Sequence, residues 1–259
     1  MPLATPGQYA QMLDAAAERR YAYAAVNVTS SETLNAALRG FQLADADGLK
    51  KCSELDIVLE VETGVVGGEE DGIAGPTNGR DELYTTTGDL LRVADALGLG
   101  ERGLYLVAAT FGNVHGTYAA GNVILRPEIL QAGQQALAAK HPGGRFKYVF
   151  HGSSGPSERE LADAISFGAV KVNVDTDNQY AFTRALAGHV LDHWQGVLKV
   201  DGGIGEKHSF DPRAWGRAGE AAMAERVRQA CEQLGSARRS LVGEASASDW
   251  AARSLVDLD

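Results

Sequence analysis

Cysteine is nearly absent from the 259-residue chain. Cys52 and Cys231 stand far apart with no metal-ligand spacing between them, which excludes a disulfide framework and leaves two reduced thiols. No apolar run reaches the 18 residues that would suggest a membrane-spanning helix. The opening residues (MPLATP) lack the basic start and apolar core of a secretory signal, so a cytoplasmic protein is expected. Positive charge is in deficit, with 24 Lys and Arg against 34 Asp and Glu, a net charge of −10 and a pI near 5.1. A nucleic-acid surface needs a clustered basic patch and is excluded on that ground. Internal repeats and low-complexity tracts are also missing. What the chain does have is a 44% hydrophobic content and a mean hydropathy of −0.17, enough to bury a substantial core without a disordered bias.

Apolar runs bounded by Gly, Asn or Asp mark five strands: Tyr21 to Val28, Ile57 to Glu62, Leu104 to Thr110, Lys147 to His151 and Ala169 to Val174. Runs of this kind belong to strands covered on both faces in a parallel sheet. Helical spacing lies between and around them: Thr5 to Arg19 with Thr5 as cap before Pro6, then a helix through Leu34, Ala37, Leu38 and Phe41. Further helices are predicted over Thr87 to Leu97, Pro127 to Lys140, Ser157 to Ser166, Tyr180 to Trp194 and Pro212 to Leu234. Thr29-Ser-Ser-Glu32 has the form of a capping box at the second helix. Gly72 to Gly79 reads as a loop, and the segment Leu49 to Leu55 reads as the end of another helix where a second strand is due.

The chemistry gathers at the strand ends. His115 and His151 each follow an apolar run and precede a glycine, and as a pair they read as metal ligands. Glu62 ends another strand and is a candidate third ligand, with an ion pair or a helix cap as the plainer role. Zinc takes histidine nitrogen and carboxylate oxygen, keeping a position open for substrate at catalytic sites. Gly152, Ser154 and Gly155 form a small-residue loop of the kind whose backbone amides cradle phosphate, or a plain turn. Asn173, Asp175, Thr176 and Asp177 stand at the end of the last strand, where a barrel puts its site residues or an Asx turn caps a helix. Glu69 and Glu70 follow Gly67-Gly68 in a presumed loop, where one carboxylate could carry a proton to or from a bound ligand.

These strings together resemble the class II, zinc-dependent fructose-bisphosphate aldolases. The residues that carry the likeness are Tyr21 to Thr33 (YAYAAVNVTSSET), Glu60 to Asp71 (EVETGVVGGEED), Thr110 to Gly116 (TFGNVHG), Phe150 to Gly155 (FHGSSG) and Asn173 to Asp177 (NVDTD). The resemblance implies an α/β fold of the (βα)8 TIM-barrel type, usually homodimeric, in one domain spanning 1–259. It implies reversible cleavage of fructose 1,6-bisphosphate into dihydroxyacetone phosphate and glyceraldehyde 3-phosphate. By position, His115 and His151 are similar to zinc ligands and Glu62 to a carboxylate that receives the metal in an alternative place. Glu70 is similar to the catalytic loop glutamate. Asn27, Gly116, Gly152, Ser153, Ser154, Asn173, Val174, Asp175, Thr176 and Arg226 match substrate, phosphate or monovalent-cation (Na+ or K+) positions. The implied chemistry needs no lysine Schiff base, because zinc polarises the ketone.

One departure stands out. Between Gly48 and Leu49 the resembled family carries three more strands, and with them an Asp-His pair that supplies a zinc ligand and the proton-handling carboxylate. Neither has a counterpart here: His141 lies before a Pro-Gly-Gly loop, His189 and His193 lie on a predicted helix, and His208 lies beyond it. The expectation is an internally deleted barrel of about five strands in barrel order 5-6-7-8-1 with two raw edges, impaired in catalysis. A non-catalytic metal- or phosphate-binding remnant, a partner of an intact aldolase, and a tagatose-bisphosphate aldolase are the alternatives.

Overall fold

A computed structural model describes residues 5–28, 30–44, 58–64, 67–70, 73–74, 84–101, 104–115, 124–152, 156–199 and 202–239. Its frame is a five-stranded, all-parallel sheet: β1 (Tyr23–Ala25), β2 (Leu59–Thr63), β5 (Tyr105–Ala109), β7 (Tyr148–Phe150) and β8 (Ala169–Asn173), in the order β1-β8-β7-β5-β2. This is the order expected of barrel strands 5-6-7-8-1, and among the described residues β1 and β2 remain its two edges. A smaller sheet, β4-β3-β6, joins β3 (Gly67–Glu70), β4 (Ile73–Ala74) and β6 (Val114–His115). Glu69 and Glu70, expected in a loop, therefore lie in a strand: their backbone pairs with Ala74 and Ile73.

The two faces of the main sheet are covered differently. Parallel strands in register point paired side chains to the same face, two residues apart along each strand. On the outer face Ala22, Ala24, Val107, Ala109, Tyr148, Phe150, Ala169 and Val172 pack under helices α2 (Ser31–Ala44), α3 (Thr87–Leu97), α4 (Glu128–Lys140), α5 (Glu158–Ser166) and α9 (Pro212–Gln233). On the inner face Tyr23, Leu106, Ala108, Val149 and Val170 meet Met12, Leu13, Ala16 and Ala17 of α1 (Pro6–Arg19). The first helix thus lies against the inner face of the sheet. Tyr21 and Tyr23, buried there edge to face, share a hydrogen bond of 3.1 Å between their hydroxyls.

Local chemistry sets most helix starts. Thr5, Thr86 and Ser157 each accept from the backbone amide three residues on, while Gln8, Asp89 and Glu160 reach back, forming three full capping boxes. The second helix is capped one residue later than its sequence suggests. Ser30 and Thr33 exchange the bonds, Ser30 N to Thr33 Oγ1 at 2.9 Å and Thr33 N to Ser30 Oγ at 3.2 Å, and Thr29 lies outside the described residues. Helix α6 (Thr176–Asp192) starts four residues before the predicted Tyr180, directly at the end of β8. It is followed by short α7 (Trp194–Leu198) and α8 (Lys207–Phe210).

Helix α9 closes the outer layer by lying close to both α2 and α6. A Cβ on Gly40 would come within 2.5 Å of Val227 Cβ and 2.6 Å of the Ala224 carbonyl oxygen, and Gly219 makes a similar approach to Phe182 and Leu186. The end of α9 is tied to the chain start, since Ala22 N donates to Leu234 O at 3.0 Å and Arg238 N to Ala44 O at 2.9 Å. Cys231 is a free, fully buried thiol whose pKa burial pushes up to about 11, in line with an inert reduced residue. Cys52 and the predicted loop from Gly72 to Gly79, apart from β4, lie outside the described residues, as does the Gly48–Leu49 junction.

Candidate metal centre and phosphate rim

All five strands run the same way, so the residues that end them share one rim of the sheet. His151 directly follows β7, Glu62 is near the end of β2, Asn173 ends β8, and Asn27 lies two residues past β1. The smaller sheet adds the other candidates by backbone placement. Gly67 and Gly68 of β3 pair with Val114 and His115 of β6, which sets the segment bearing Glu69 and Glu70 beside His115. The side chains of Glu69, Glu70 and His115 lie outside the described residues, as do Gly116, Ser153, Ser154 and Gly155 entirely.

His151 is the best-defined group of the centre. It is buried, and carboxylates flank both of its ring nitrogens: Nε2 lies 2.6 Å from Glu60 Oε1, and Nδ1 lies 3.1 Å from Glu62 Oε1. Glu60 is held in turn by Lys171 Nζ, which donates to Oε2 at 2.8 Å. Burial alone would raise the Glu60 carboxyl, but the hydrogen bonds and charges of His151 and Lys171 outweigh it and hold the pKa down to about 2. Neither Glu60 nor Lys171 stands out in the sequence as a site residue. The signal that could have found them is the two-residue period of a strand, which puts Glu60 on the face of Glu62 and Lys171 on that of Asn173.

The strand ends behind this centre are braced by a buried threonine cluster. Thr85 Oγ1 bonds the Thr63 carbonyl and lies 3.0 Å from Thr110 Oγ1, while Thr110 N donates to Thr85 Oγ1 at 2.8 Å. Gly64 follows β2 with φ of 99°, and a side chain there would collide with Thr110, so glycine is needed on both counts.

On the other side of the rim Asp175 gathers β1 and β8. Its Oδ1 accepts from Asn27 N at 2.8 Å and its Oδ2 from Asn27 Nδ2 at 2.9 Å, and Val174 N donates to Ala25 O at 3.0 Å. Thr176 opens α6 directly after Asn173, Val174 and Asp175, and the Asp175 side chain does not cap the first amides of that helix. Gly152 leaves β7 with φ of 64°, in the left-handed region that favours glycine. Arg226 of α9 reaches the same helix start, where its Nη2 donates to Asp177 Oδ2 at 3.0 Å.

Comparison with known proteins places this geometry. Residues 46–239 match the family described as "Fructose-bisphosphate aldolase class-II". The chain belongs to that family. The fructose-bisphosphate aldolase of Mycobacterium leprae is 39% identical over 344 aligned positions, covering 93% of this chain and 99% of the relative. That of Streptomyces galbus is 39% identical over 337 positions, covering 92% and 98%. Both alignments are longer than the 259-residue chain while spanning nearly all of each partner, so a long internal block of each relative faces a gap here. The family match begins within a few residues of the Gly48–Leu49 junction. Among solved structures, the aldolase from Campylobacter jejuni superposes with a TM-score of 0.73 at 22% identity, covering 92% of this chain and 97% of that one. The fold is therefore that of the aldolase TIM barrels, with five parallel strands of the main sheet among the described residues.

Class II aldolases are metal-dependent enzymes acting on sugar bisphosphates. The described residues fit part of a metal site. His151 Nδ1 and Glu62 Oε1 lie at a separation two donors can have while sharing one ion, given ligand distances of about 2.0 to 2.2 Å for zinc. Glu60 lies on the opposite ring nitrogen. Among the described residues no three His, Cys, Asp or Glu groups gather around one point, and the backbone of His115 pairs with Gly68, in the segment that follows β2. No helix among the described residues is long and apolar enough to cross a membrane.

Proposed function

We propose that this chain is a single-domain, cytoplasmic class II aldolase interrupted after residue 48, which keeps metal and sugar-phosphate binding but is impaired in cleaving fructose 1,6-bisphosphate. The observation that carries the reading is the sheet order. Among the described residues β1 is followed by α2 and then by β2 at the opposite edge of the sheet, with no strand between them to bear the family's Asp-His pair. His115, His151 and Glu62 are the residues that would hold zinc. When bound, the metal supplies the electrophile that polarises the substrate carbonyl.

The chain's own residues supply the rest. Asn173, Val174, Asp175 and Thr176 with the α6 start, together with Gly116, Gly152, Ser153 and Ser154, bind the ketone half and its phosphate, with a monovalent cation (Na+ or K+) beside that loop. Arg226 draws the other phosphate towards α9, and Asn27 orients the rim through Asp175. Glu70 carries the proton on the ketone fragment. What is lacking is the carboxylate that takes the proton from the C4 hydroxyl, and without it carbon–carbon cleavage has no base at the bond that breaks.

The test is zinc-supplemented cleavage of fructose 1,6-bisphosphate by the purified chain, with His115→Ala and His151→Ala alongside to expose contaminating host enzyme. Zinc bound without turnover above the two variants is the expected result. Turnover that both variants lose would overturn the impairment.

A further inference from the structure

We propose that Glu60, braced by Lys171, is a positioning residue that fixes the ring of His151 so that Nδ1 is presented beside Glu62 as a donor to a divalent metal. The inference rests on reading His151 as a metal donor, and it gives a role to two residues that the resemblance leaves without one.

The chemistry follows from which groups can donate. An ionised carboxylate only accepts, so the 2.6 Å contact between Glu60 Oε1 and His151 Nε2 requires the hydrogen to sit on Nε2. The other oxygen of Glu60 accepts from Lys171 at 2.8 Å, so both ends of the carboxylate are engaged and its plane is fixed. Lys171 is itself shielded, with a side chain only 17% exposed. With Nε2 engaged by Glu60, the ring sets Nδ1 on the Glu62 side, 3.1 Å from Glu62 Oε1. A ring nitrogen and a carboxylate oxygen at that separation can both be donors to one divalent cation. Glu62 stands at the open end of the arrangement with a side chain 54% exposed, so solvent and ions reach it from the rim.

Among the described residues His151 is the buried histidine of the rim, and Glu60 is shared between it and Lys171. Here the three side chains form a chain, Lys171 to Glu60 to His151, that ends on the donor atom. Outer carboxylates of this type raise the basicity of the ring and hold its orientation, and their removal typically weakens metal binding by about 10- to 100-fold.

The experiment uses the purified full chain stripped of metal and titrated with Co2+ in competition with a chromophoric chelator, reading affinity together with the visible absorption of the bound ion. The variants are Glu60→Gln, Glu60→Ala, Lys171→Met and His151→Ala, each checked by far-UV circular dichroism. His151→Ala is expected to lose binding. Glu60→Ala is expected to weaken it about 10- to 100-fold and to shift the Co2+ bands. Glu60→Gln, which keeps an acceptor oxygen for Nε2, should recover part of both, and it carries the test if the alanine variant does not fold. Wild-type affinity and spectrum in both Glu60 variants, with binding lost in His151→Ala, would overturn the positioning role alone. No Co2+ binding by the wild-type chain, or undiminished binding by His151→Ala, would overturn the metal reading and the proposal with it.

Discussion

Lys171 donates to Glu60 across 2.8 Å although their strands, β8 and β2, are separated in the sheet by β7 and β5. Neighbouring strands lie about 4.8 Å apart, so a flat sheet would set these two roughly 14 Å from each other, too far for side chains that stand roughly perpendicular to the sheet. The sheet is therefore curled about a common axis despite holding only five strands. Its interior polar chain spans the concavity that a full barrel would enclose.

The same contact predicts a pH dependence. The Glu60 carboxyl sits at about 2 in the folded chain against an ordinary value of 4.5. A depressed carboxyl contributes stability that is fully present above pH 4.5 and disappears as the pH falls towards 2. Urea unfolding of wild type and Glu60→Gln at pH 5, 3.5 and 2.5 should show the wild type losing its advantage through that window. Parallel losses in the two proteins would mean that Glu60 does not titrate as the geometry requires.

Gly40 is where α2 and α9 touch. Alanine there meets the Val227 side chain and the Ala224 carbonyl at 2.5 and 2.6 Å, neither of which is the free end of a flexible group, so the helices must separate. Gly40→Ala should lower stability by about 1–3 kcal/mol, although alanine is the better helix former. A midpoint in urea at or above that of the wild type would show that the contact is looser than described.

Thr85 is a polar anchor in an apolar setting. Replacing it with valine preserves shape but removes the acceptor of Thr110 N and the donor to the Thr63 carbonyl. Thr85→Val should cost about 1–3 kcal/mol. It should also speed hydrogen exchange at the Thr110 amide, and exchange unchanged from the wild type would argue against the cluster.

Tyr148 presents the opposite case. Its hydroxyl is buried without a hydrogen-bond partner among the described residues, in space left by Gly133, and burial pushes its pKa well above the usual phenol value. Tyr148→Phe removes that unmet group and should leave stability unchanged or raise it by up to about 1 kcal/mol. A loss of several kcal/mol in thermal or urea unfolding would reveal a partner for the hydroxyl.

The strands and outer helices were legible because each carries its own signal. Val107, Val149 and Val172 lie in runs buried on both faces, and Thr5, Thr86 and Ser157 announce helix starts within four residues. The raw edges were legible too, since the sequence passes from Asp45-Ala-Asp-Gly48 to Leu49 without the strands a barrel needs there. What could not be read was contact across the curl. Periodicity shows that Met12 and Leu13 are buried but not that they cover the concave face, and no local pattern joins Glu60 to residues 91 and 111 positions away. Glu69 and Glu70 were mistaken for loop because glycines and acids disfavour strands, and pairing with β4 and β6 overrides that local preference. Of the candidate site, the rim residues Asn27 and Asp175 meet each other, whereas Arg226 meets Asp177, a pairing that the spacing of α6 and α9 alone does not disclose.

Strand β1 has β8 as its partner, with Tyr23 set against Lys171, and the turn before it hangs on Leu234 near the end of α9. During synthesis the first 44 residues therefore emerge long before anything exists to pair with them. The β2-β5-β7-β8 portion can assemble from nearer neighbours, but the N-terminal helices and strand must wait for the last third of the chain, which slows folding and lengthens exposure of apolar surface. Any shortening at the C-terminal end that removes α9 would release the beginning of the protein as well.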